Sequence, residues 1–432
     1  MVSNRSMTKI IFLSGFPPMI HGIGSYTKYL TDVLYEKGCD CGVISFDPCT
    51  CEFPIMKEKK VECKYPVRYT IPSCNDYKFN LIFDSLTNLY KNGDNYIFWI
   101  QQGDSFWKNR LQFVKMLKFF KKKKVKNIIV THHTLNFQSP ETRYGLKKWQ
   151  YELLKKELPY IDVNTVFTKG VYMAITKAFP KYRDKIVLIR HGVPSYPQIS
   201  QQNAKKEIIS WLESKNELKK DWQKSVEDLN SKIFERIAIT FGDIGFIDNR
   251  KLSTNIYSTI KLFQKRFPNK KIVGLYIGTL SFRSKQKISY LQRLKNLHNP
   301  ENNFYFFETY VPEELFAKSL RIFDIVDMWQ EDCRQSGKLA HAIGIGATII
   351  GRNIEGTGET LKRSGYPALN TYEDFINEIE RVTADSESKD LMKKRVSKYV
   401  KTYNWENQAL KHIELAESLI SGDKLPLLDG WE

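Results

Sequence analysis

Short apolar runs alternate with segments of helical periodicity along most of the 432-residue chain. Residues 8–14 (TKIIFLS) and 41–47 (CGVISFD) are compact apolar runs, which are typical of buried strands. Between these runs, residues 26–38 carry apolar side chains at helical spacing and end in a glycine, which predicts a helix terminus. A strand, a helix and a second strand in this order form a βαβ unit, so the pattern predicts a parallel sheet.

The same alternation continues through the first half of the chain. Further strands are predicted at residues 95–101, 125–133, 163–168 and 185–193, with helical segments between them. We therefore expect residues 1–195 to form one doubly wound, Rossmann-like α/β domain.

The pattern changes near residue 195. Residues 194–202 (PSYPQISQQ) are typical of a linker, and residues 203–232 are charged and helical. We interpret 196–232 as a linker and a charged helical insertion. Its simplest form is a solvated helical hairpin that packs on the surface.

A second α/β series follows the insertion. Its strands are predicted at residues 235–245, 270–278, 302–311, 322–329 and 346–352. They indicate a second doubly wound domain over 233–395, after which helices over 396–432 cross back to the first domain. Ligands of such sheets bind outside the carboxyl ends of the strands, so two domains that face each other predict a site in a central cleft.

Composition narrows the class of protein. Hydrophobic residues make up 42% of the chain and aromatic residues 13%, which excludes a disordered protein. No apolar run approaches the roughly 20 residues that a membrane span needs, and we interpret the apolar N-terminal segment as a first strand rather than a signal peptide. The net charge of +19 favours an anionic partner, such as a polyanion, an anionic membrane or a phosphorylated substrate.

Six of the seven cysteines lie within residues 39–74. Two C-x-C pairs occur there, but the usual metal spacing is C-x2-C and no histidine lies nearby. We therefore expect reduced thiols in a cytoplasmic protein rather than a zinc or redox site.

Several motifs, in a fixed order, resemble the GT-B fold of retaining glycosyltransferases, specifically the family-4-type enzymes (glycosyl transferases group 1). The motifs are PPMIHGIGSYTKYLTDVLYEKG (17–38), IIVTHHT (128–134), KIVLIRHGV (185–193), ITFGDI (239–244) with IVGLYIG (272–278), FYFFETYVPEELFAKSLRIFDIVDMW (304–329), RQSGKLAHAIGIGATIIG (334–351) and the tail YNWENQALKHIELAESL (403–419). The resemblance covers nearly the whole chain. It implies an acceptor-side first domain and a second domain that binds a nucleotide sugar.

The resemblance also implies an activity. Such enzymes move a hexose from a nucleoside-diphosphate sugar, here with UDP or GDP, to a hydroxyl with retention of configuration. They generally stabilise the diphosphate without a metal, by backbone N–H groups, a helix N-terminus and basic side chains. We accordingly expect no metal site and no cofactor beyond the donor substrate.

In the first domain, the resemblance points to residues at strand ends. His133 is the candidate catalytic residue, because the matching histidine of the family orients the donor sugar. Gly22 and Gly24 precede a helix and would let the donor approach the backbone. His21 and Gln102 are expected on the acceptor side. A structural turn for the glycines and a structural role for His133 remain open.

In the second domain, the resemblance points to the donor phosphates and the nucleotide. The expected donor-binding residues are Arg250, Lys251, Gln335, Ser336, Gly337, Lys338 and Glu359. A solvated loop is the alternative for the first two residues. Glu355 competes with Glu359 for the same role.

The sequence also departs from the family pattern. Cys333 and His341 stand where most members carry two glutamates, with Glu331 and Asp332 close by, and Gln102 stands where the subgroup often has histidine. Two alternatives follow: a non-catalytic GT-B protein that binds a glycan or regulates a partner transferase, and a nucleic-acid-modifying glucosyltransferase. We interpret the lysine-rich residues 118–127 as a contact for an anionic membrane with a lipid-linked acceptor rather than for nucleic acid. A glycan or protein acceptor is also open.

Overall fold

The computed structural model describes residues 8–56, 62–90, 95–107, 109–215, 220–235, 238–249, 252–281 and 284–429. The chain divides into two compact units. The first unit comprises Met1–Gly192 and Tyr403–Glu432, and the second comprises Val193–Thr402. Each unit contains its own parallel sheet.

The first unit is built on a seven-stranded sheet within the described residues. Its strands are β1 (Lys9–Leu13), β2 (Asp40–Phe46), β3 (Val67–Ile71), β4 (Tyr96–Gln102), β5 (Ile128–His132), β6 (Val163–Val166) and β7 (Ile186–Leu188). The helices of its N-terminal segment are α1 (Gly22–Glu36), α2 (Phe79–Leu89), α3 (Leu111–Lys122), α4 (Lys148–Glu157) and α5 (Lys169–Ala178). The strand order is β3-β2-β1-β4-β5-β6-β7, so the order reverses between β1 and β4.

Both faces of this sheet are buried, which explains why its strands are almost continuously apolar. In β1, Ile11 and Leu13 enter one apolar core. Ile10 and Phe12 enter the other core, on the opposite face. The alternation follows from the two-residue period of a strand.

The second unit has a six-stranded parallel sheet within the described residues. Its helices α6 (Gln201–Glu213) and α7 (Lys220–Ile233) precede the strands. The strands are β8 (Ala238–Phe246), β9 (Lys271–Thr279), β10 (Phe304–Glu308), β11 (Ile325–Met328), β12 (Ile349–Arg352) and β13 (Ala368–Leu369), in the order β10-β9-β8-β11-β12-β13. The other helices are α8 (Asn255–Arg266), α9 (Lys285–Leu297), α10 (Glu313–Arg321), α11 (Gly337–Gly344), α12 (Glu355–Ser364), α13 (Tyr372–Ala384) and α14 (Ser386–Tyr403).

The charged helices α6 and α7 belong to the second unit. Helix α6 packs against α10, and α7 packs against β8. Ile208 and Leu229 are buried, and the Lys205 Nζ donates a hydrogen bond to the Ile233 carbonyl (2.8 Å). The two helices also pack against each other, and the pair buries one face against the rest of the second unit.

The last helix, α15 (Trp405–Ser421), belongs to the first unit. It packs against α1. The Trp405 ring lies 5.0 Å from the Tyr26 ring and stacks on the Tyr29 ring at 5.9 Å. Asn404 caps the helix by accepting a hydrogen bond from the Asn407 N–H.

The predicted α/β class with two doubly wound parallel sheets is confirmed. Strands β3 and β13 were absent from the prediction, because β3 is only partly buried and β13 has two residues. All seven cysteines are free thiols. Within the described ranges, no helix is long and apolar enough to cross a membrane.

Candidate functional site

The loops that follow β1 and β4 meet where the strand order of the first sheet reverses. His21, after β1, places its Nε2 2.9 Å from the Oγ of Ser105, after β4. Such a reversal point opens a crevice at the carboxyl ends of the strands, where ligands of doubly wound sheets bind. His21 and Ser105 therefore line the candidate site of the first unit.

His21 also caps helix α1. Its Nδ1 accepts a hydrogen bond from the Ile23 N–H (3.2 Å), so the neutral ring carries its proton on Nε2 and donates it to Ser105. Phe53 and Phe106 pack against the ring, and burial lowers the pKa of His21 to about 4. At neutral pH, His21 is thus a hydrogen-bond donor rather than a base.

The two glycines of this loop have different environments. Gly22 is exposed at the N-terminus of α1, and a Cβ there would meet no atom of the described residues within 4 Å. Gly24 is buried, and a Cβ there would lie 3.4 Å from the backbone of Gly15 and Phe16. Gly22 therefore lies at the open edge, whereas Gly24 packs the helix against the loop.

His133 immediately follows β5, at the same edge of the sheet. Its N–H donates to the Gln102 carbonyl (2.9 Å), and its Nε2 lies 2.7 Å from the Oε1 of Gln101. The rings of Tyr26 and Phe167 each lie 4.9 Å from the imidazole. Burial holds the pKa of His133 well below its usual value, so the ring is neutral at physiological pH.

The adjacent His132 faces a different environment. Its Nε2 lies 3.0 Å from the Oδ1 of Asn164 and 3.5 Å from the Oε1 of Glu157. Burial raises the pKa of Glu157 to about 8, and Asp104 adds to the effect. This group is a buried polar cluster.

Gln102 directs its side chain inward. The side-chain Oε1 accepts a hydrogen bond from the Trp107 indole N–H, and the residue is buried. The neighbouring Gln101, which was not predicted, is the residue whose side chain contacts His133. Gln102 contributes to the histidine site through its backbone carbonyl.

A fully buried amide holds the loop that follows His133. The Gln150 Nε2 donates to the Thr134 carbonyl (2.8 Å) and to the Asn136 Oδ1 (3.1 Å). Its Oε1 accepts from the N–H groups of Asn136 (3.1 Å) and Lys147 (3.2 Å). Four bonds from one side chain therefore fix this loop.

The second sheet carries a charged group at its own reversal point, between β8 and β11. Asp243 on β8 and Asp327 on β11 are both buried. The Lys338 ammonium, from the first turn of α11, forms an ion pair with Asp243. Asp327 accepts a hydrogen bond from the Trp329 N–H (2.7 Å), and burial raises the pKa of Asp327 to about 8.

The predicted donor-binding residues 335–338 lead into α11, which begins at Gly337. Ser336 caps the helix by accepting a hydrogen bond from the Leu339 N–H (3.2 Å). Gly337 is exposed, and a Cβ there would meet no described atom within 4 Å. Gln335 is half-buried, and its carbonyl lies 3.7 Å from the Cys333 sulfur.

Two other predicted positions can be located, and two cannot. Glu359 is half-buried in α12, which follows β12. Glu355 begins that helix, is buried and has φ 45°, a strained backbone conformation for a side chain of this size. Arg250 and Lys251 lie outside the described residues.

His341, at a position where the resemblance led us to expect a glutamate, is a packing residue. Its Nδ1 is hydrogen-bonded to the Tyr196 hydroxyl, and the Phe316 ring lies 5.2 Å from the imidazole. Sequence reasoning missed Asp243 and Asp327. The available signal was a carboxylate inside each of two otherwise apolar strands, because a buried carboxylate needs a partner.

These features define the class of fold. Two doubly wound parallel sheets, one in each unit, are those of the GT-B fold, as the sequence motifs predicted. A scan of protein-family models and a search of curated proteins give no match.

Three solved structures illustrate the likeness. The protein in the structure described as "Trehalose-6-phosphate from E. coli bound with UDP-2-fluoro glucose" is 11% identical to this chain. Its TM-score is 0.66 over 95% of this chain and 99% of that one. An α,α-trehalose-phosphate synthase (UDP-forming) from Burkholderia xenovorans in complex with glucose-6-phosphate is 9% identical, with a TM-score of 0.65 over 95% and 100%. Sucrose-phosphate synthase from Thermosynechococcus elongatus is 15% identical, with a TM-score of 0.66 over 96% and 100%. At these identities, the comparison establishes the shared fold.

Proposed function

We propose that this protein is a retaining hexosyltransferase that uses a nucleoside-diphosphate sugar, most simply UDP-hexose, and a hydroxyl acceptor. The observation that carries the proposal is the start of α11 at the reversal point of the second sheet. Exposed Gly337 leaves room for a ligand to approach the backbone N–H groups, and the buried ion pair of Lys338 with Asp243 anchors the first turn to β8. A helix N-terminus with accessible N–H groups is suited to a diphosphate leaving group.

The first unit would hold the acceptor. Its α1 N-terminus also begins with an exposed glycine, Gly22, and lies beside the His21–Ser105 hydrogen bond. Proteins of the same fold bind UDP-2-fluoro glucose and glucose-6-phosphate. A phosphorylated sugar acceptor would also suit the net charge of +19.

The proposed reaction forms one bond and breaks one. The acceptor oxygen attacks the anomeric carbon on the face from which the diphosphate departs, the bond from that carbon to the phosphate oxygen breaks, and the hydroxyl proton passes to the departing phosphate. This route needs no protein nucleophile. It is consistent with neutral His21 and His133 at the first sheet, since neither histidine is a charged acid at physiological pH.

A panel of ligands tests donor binding. UDP, GDP, ADP and their hexoses are added to the full chain, and thermal unfolding is followed, because a ligand that binds only the folded protein raises its apparent stability. We expect UDP and UDP-hexose to stabilise the wild type and Lys362→Met, and to stabilise Gly337→Val much less, because its side chain fills the open space at the start of α11. Lys362 is an exposed control in α12. Stabilisation without hexose transfer to any acceptor would favour the non-catalytic alternative, and no stabilisation by any nucleotide would contradict the proposal.

We also propose peripheral attachment to an anionic membrane. The surface concerned, which we call the lysine face, consists of exposed lysines on α3 and the loop after it: Lys115, Lys118, Lys122, Lys123, Lys124 and Lys126. Their neighbour Lys121 is neutralised by Asp162 (2.9 Å), whereas no described carboxylate lies within 4 Å of the six. The lysine stems also cover apolar rings, as Lys123 does over Phe83 (5.2 Å), which suits an interface of lipid and water.

Vesicle binding tests the lysine face. We expect the wild type to bind phosphatidylglycerol vesicles and not phosphatidylcholine vesicles, with binding weakened by salt. Changing the six lysines to glutamine should abolish the binding. The matched control changes six exposed lysines of the second unit instead: Lys261, Lys265, Lys285, Lys362, Lys394 and Lys398. Equal loss in both variants, or tighter binding to duplex DNA than to vesicles, would contradict the assignment.

A further inference from the structure

The contact between Gln101 and His133 links two neighbouring strands. Gln101 is 1% exposed on β4, and its Oε1 lies 2.7 Å from the Nε2 of His133 at the end of β5. An amide oxygen can only accept a hydrogen bond, so the Nε2 of His133 carries the hydrogen. The proton of the neutral ring is therefore placed by Gln101.

The other half of the Gln101 side chain has no partner. Its Nε2 is buried and hydrogen-bonded to no group of the described residues. A buried donor without a partner costs about 1–3 kcal/mol, which an apolar side chain of similar size would avoid. The contact of the Gln101 Oε1 with His133 is therefore the interaction that explains a glutamine at this position.

The ring of His133 is also held in place by its neighbours. Tyr26 contacts it edge-on at an interplanar angle of 86°, and Phe167 does so at 65°. The His133 backbone N–H is fixed on the Gln102 carbonyl. With Nε2 engaged by Gln101, Nδ1 is the remaining polar atom of the ring, and no described residue donates a hydrogen bond to it.

The chemistry of Nδ1 selects the ligand group. A neutral imidazole nitrogen without a proton accepts a hydrogen bond, so its partner must carry an O–H or N–H. Sugar hydroxyls carry such a donor, whereas ionised phosphate oxygens do not. Burial lowers the pKa of His133, and the nearby His191, His21 and His132 lower it further, so conversion of His133 to the charged donor form is unfavourable.

We propose that Gln101 is a positioning residue that fixes the Nε2–H tautomer of His133, so that Nδ1 accepts a hydrogen bond from a sugar hydroxyl. The identity of the ligand rests on the proposed hexosyltransferase function, whereas the tautomer does not. Gln101 acts through His133 and does not itself contact the sugar.

The tautomer can be measured without any ligand. The full chain is labelled with ¹⁵N-histidine, and long-range ¹H–¹⁵N spectra are recorded, with the His133 signals identified by their loss in His133→Gln. We expect wild type and the exposed control Gln292→Leu to show only the Nε2–H form of His133. Gln101→Met should show both tautomers. An Nδ1–H form in wild type, or an unchanged tautomer in Gln101→Met, would overturn the proposal.

Gln101→Glu provides the second readout. Its carboxylate also accepts from Nε2–H, so turnover at alkaline pH should be retained. The negative charge should raise the pKa of His133, protonate Nδ1 at lower pH and give an acid-side loss of activity that wild type lacks. For Gln101→Met, we expect kcat to fall about tenfold with little change in KM for the nucleotide sugar, as for one lost hydrogen bond.

The experiments distinguish a failure of the proposed hexosyltransferase function from a failure of the proposed role of Gln101. The expected tautomers in a protein that transfers no hexose would contradict the proposed function and leave the role of Gln101 in setting the tautomer intact. If the protein transfers hexose but the His133 tautomer is the same in wild type and Gln101→Met, only the role of Gln101 is contradicted. A pH profile of Gln101→Glu identical to wild type would also overturn that role.

Discussion

The ammonium of Lys338 and the carboxylate of Asp243 form a buried ion pair at the point where the strand order of the second sheet reverses. Lys338 is 9% exposed and Asp243 is 3% exposed. The pair joins the first turn of α11 to β8. It therefore couples the proposed diphosphate site to the centre of the sheet.

Removing one partner of this pair should destabilise the second unit. Lys338→Met leaves the Asp243 carboxylate buried near Asp327, so we expect a loss of about 3–5 kcal/mol in the free energy of unfolding. The double variant Asp243→Asn with Lys338→Met removes both charges and should recover most of that loss. Urea denaturation measures the difference, and equal stability of the single and double variants would contradict the account.

Glu157 should make stability depend on pH. Its pKa is raised from 4.5 in the unfolded chain to about 8 in the folded protein, so its contribution is fully present below pH 4.5 and is lost as the pH rises to about 8. In the wild type, Glu157 should lower the free energy of unfolding by about 1.4 kcal/mol per pH unit between pH 5 and 8, and Glu157→Gln should remove this decline. Denaturation at several pH values measures this slope.

Asp327 supplies the matched comparison for Glu157. Burial also raises the pKa of Asp327 to about 8, but Asp327 lies in the other unit. Asp327→Asn should therefore give a similar change of slope, and the two effects should add. A wild-type stability that does not fall between pH 5 and 8 would contradict both assignments.

His21 should have separable capping and acceptor roles. His21→Ala removes the cap on the Ile23 N–H and should cost about 1 kcal/mol, whereas Asn is itself a good cap and should cost less. Both variants lose the hydrogen bond to Ser105. If that bond shapes the acceptor site, His21→Asn and Ser105→Ala should raise KM for the acceptor alike, with no further increase in the double variant. Additive effects would show that the two residues act independently.

Gln150 should control the loop after His133. Gln150→Leu keeps the volume but removes four hydrogen bonds, and a buried polar group that loses its partner costs about 1–3 kcal/mol. We expect a clear fall in thermal stability and faster proteolysis between Thr134 and Lys147. Unchanged proteolysis of this segment would contradict the role of Gln150.

The sequence pattern predicted most strands to within a few residues, because parallel strands covered on both faces are continuously apolar. It predicted the last residue of β4 as 101, whereas the strand ends at Gln102. Side chains alternate between faces, so one residue decides whether Gln101 or Gln102 contacts His133. Gln102 was predicted from its place in the motif, and local periodicity carries no information on which of the two glutamines contacts a histidine 32 residues away.

The second site was predicted in part. The Gln-Ser-Gly-Lys segment at the start of α11 was recognised from its motif. Its partner Asp243 lies 95 residues earlier in the chain, and local periodicity carries no information about such a contact. The strained backbone of Glu355 could not be predicted from the sequence either, since tertiary contacts impose it.

The most direct test of the account is hexose transfer itself. The full chain is incubated with UDP-glucose and a panel of sugar phosphate and glycan acceptors, and NMR follows UDP release and the anomeric configuration of the product. We expect UDP release coupled to a new glycosidic bond that keeps the α configuration of the donor. A β-linked product, or no transfer from UDP-, GDP- or ADP-hexose to any acceptor by the folded protein, would contradict it.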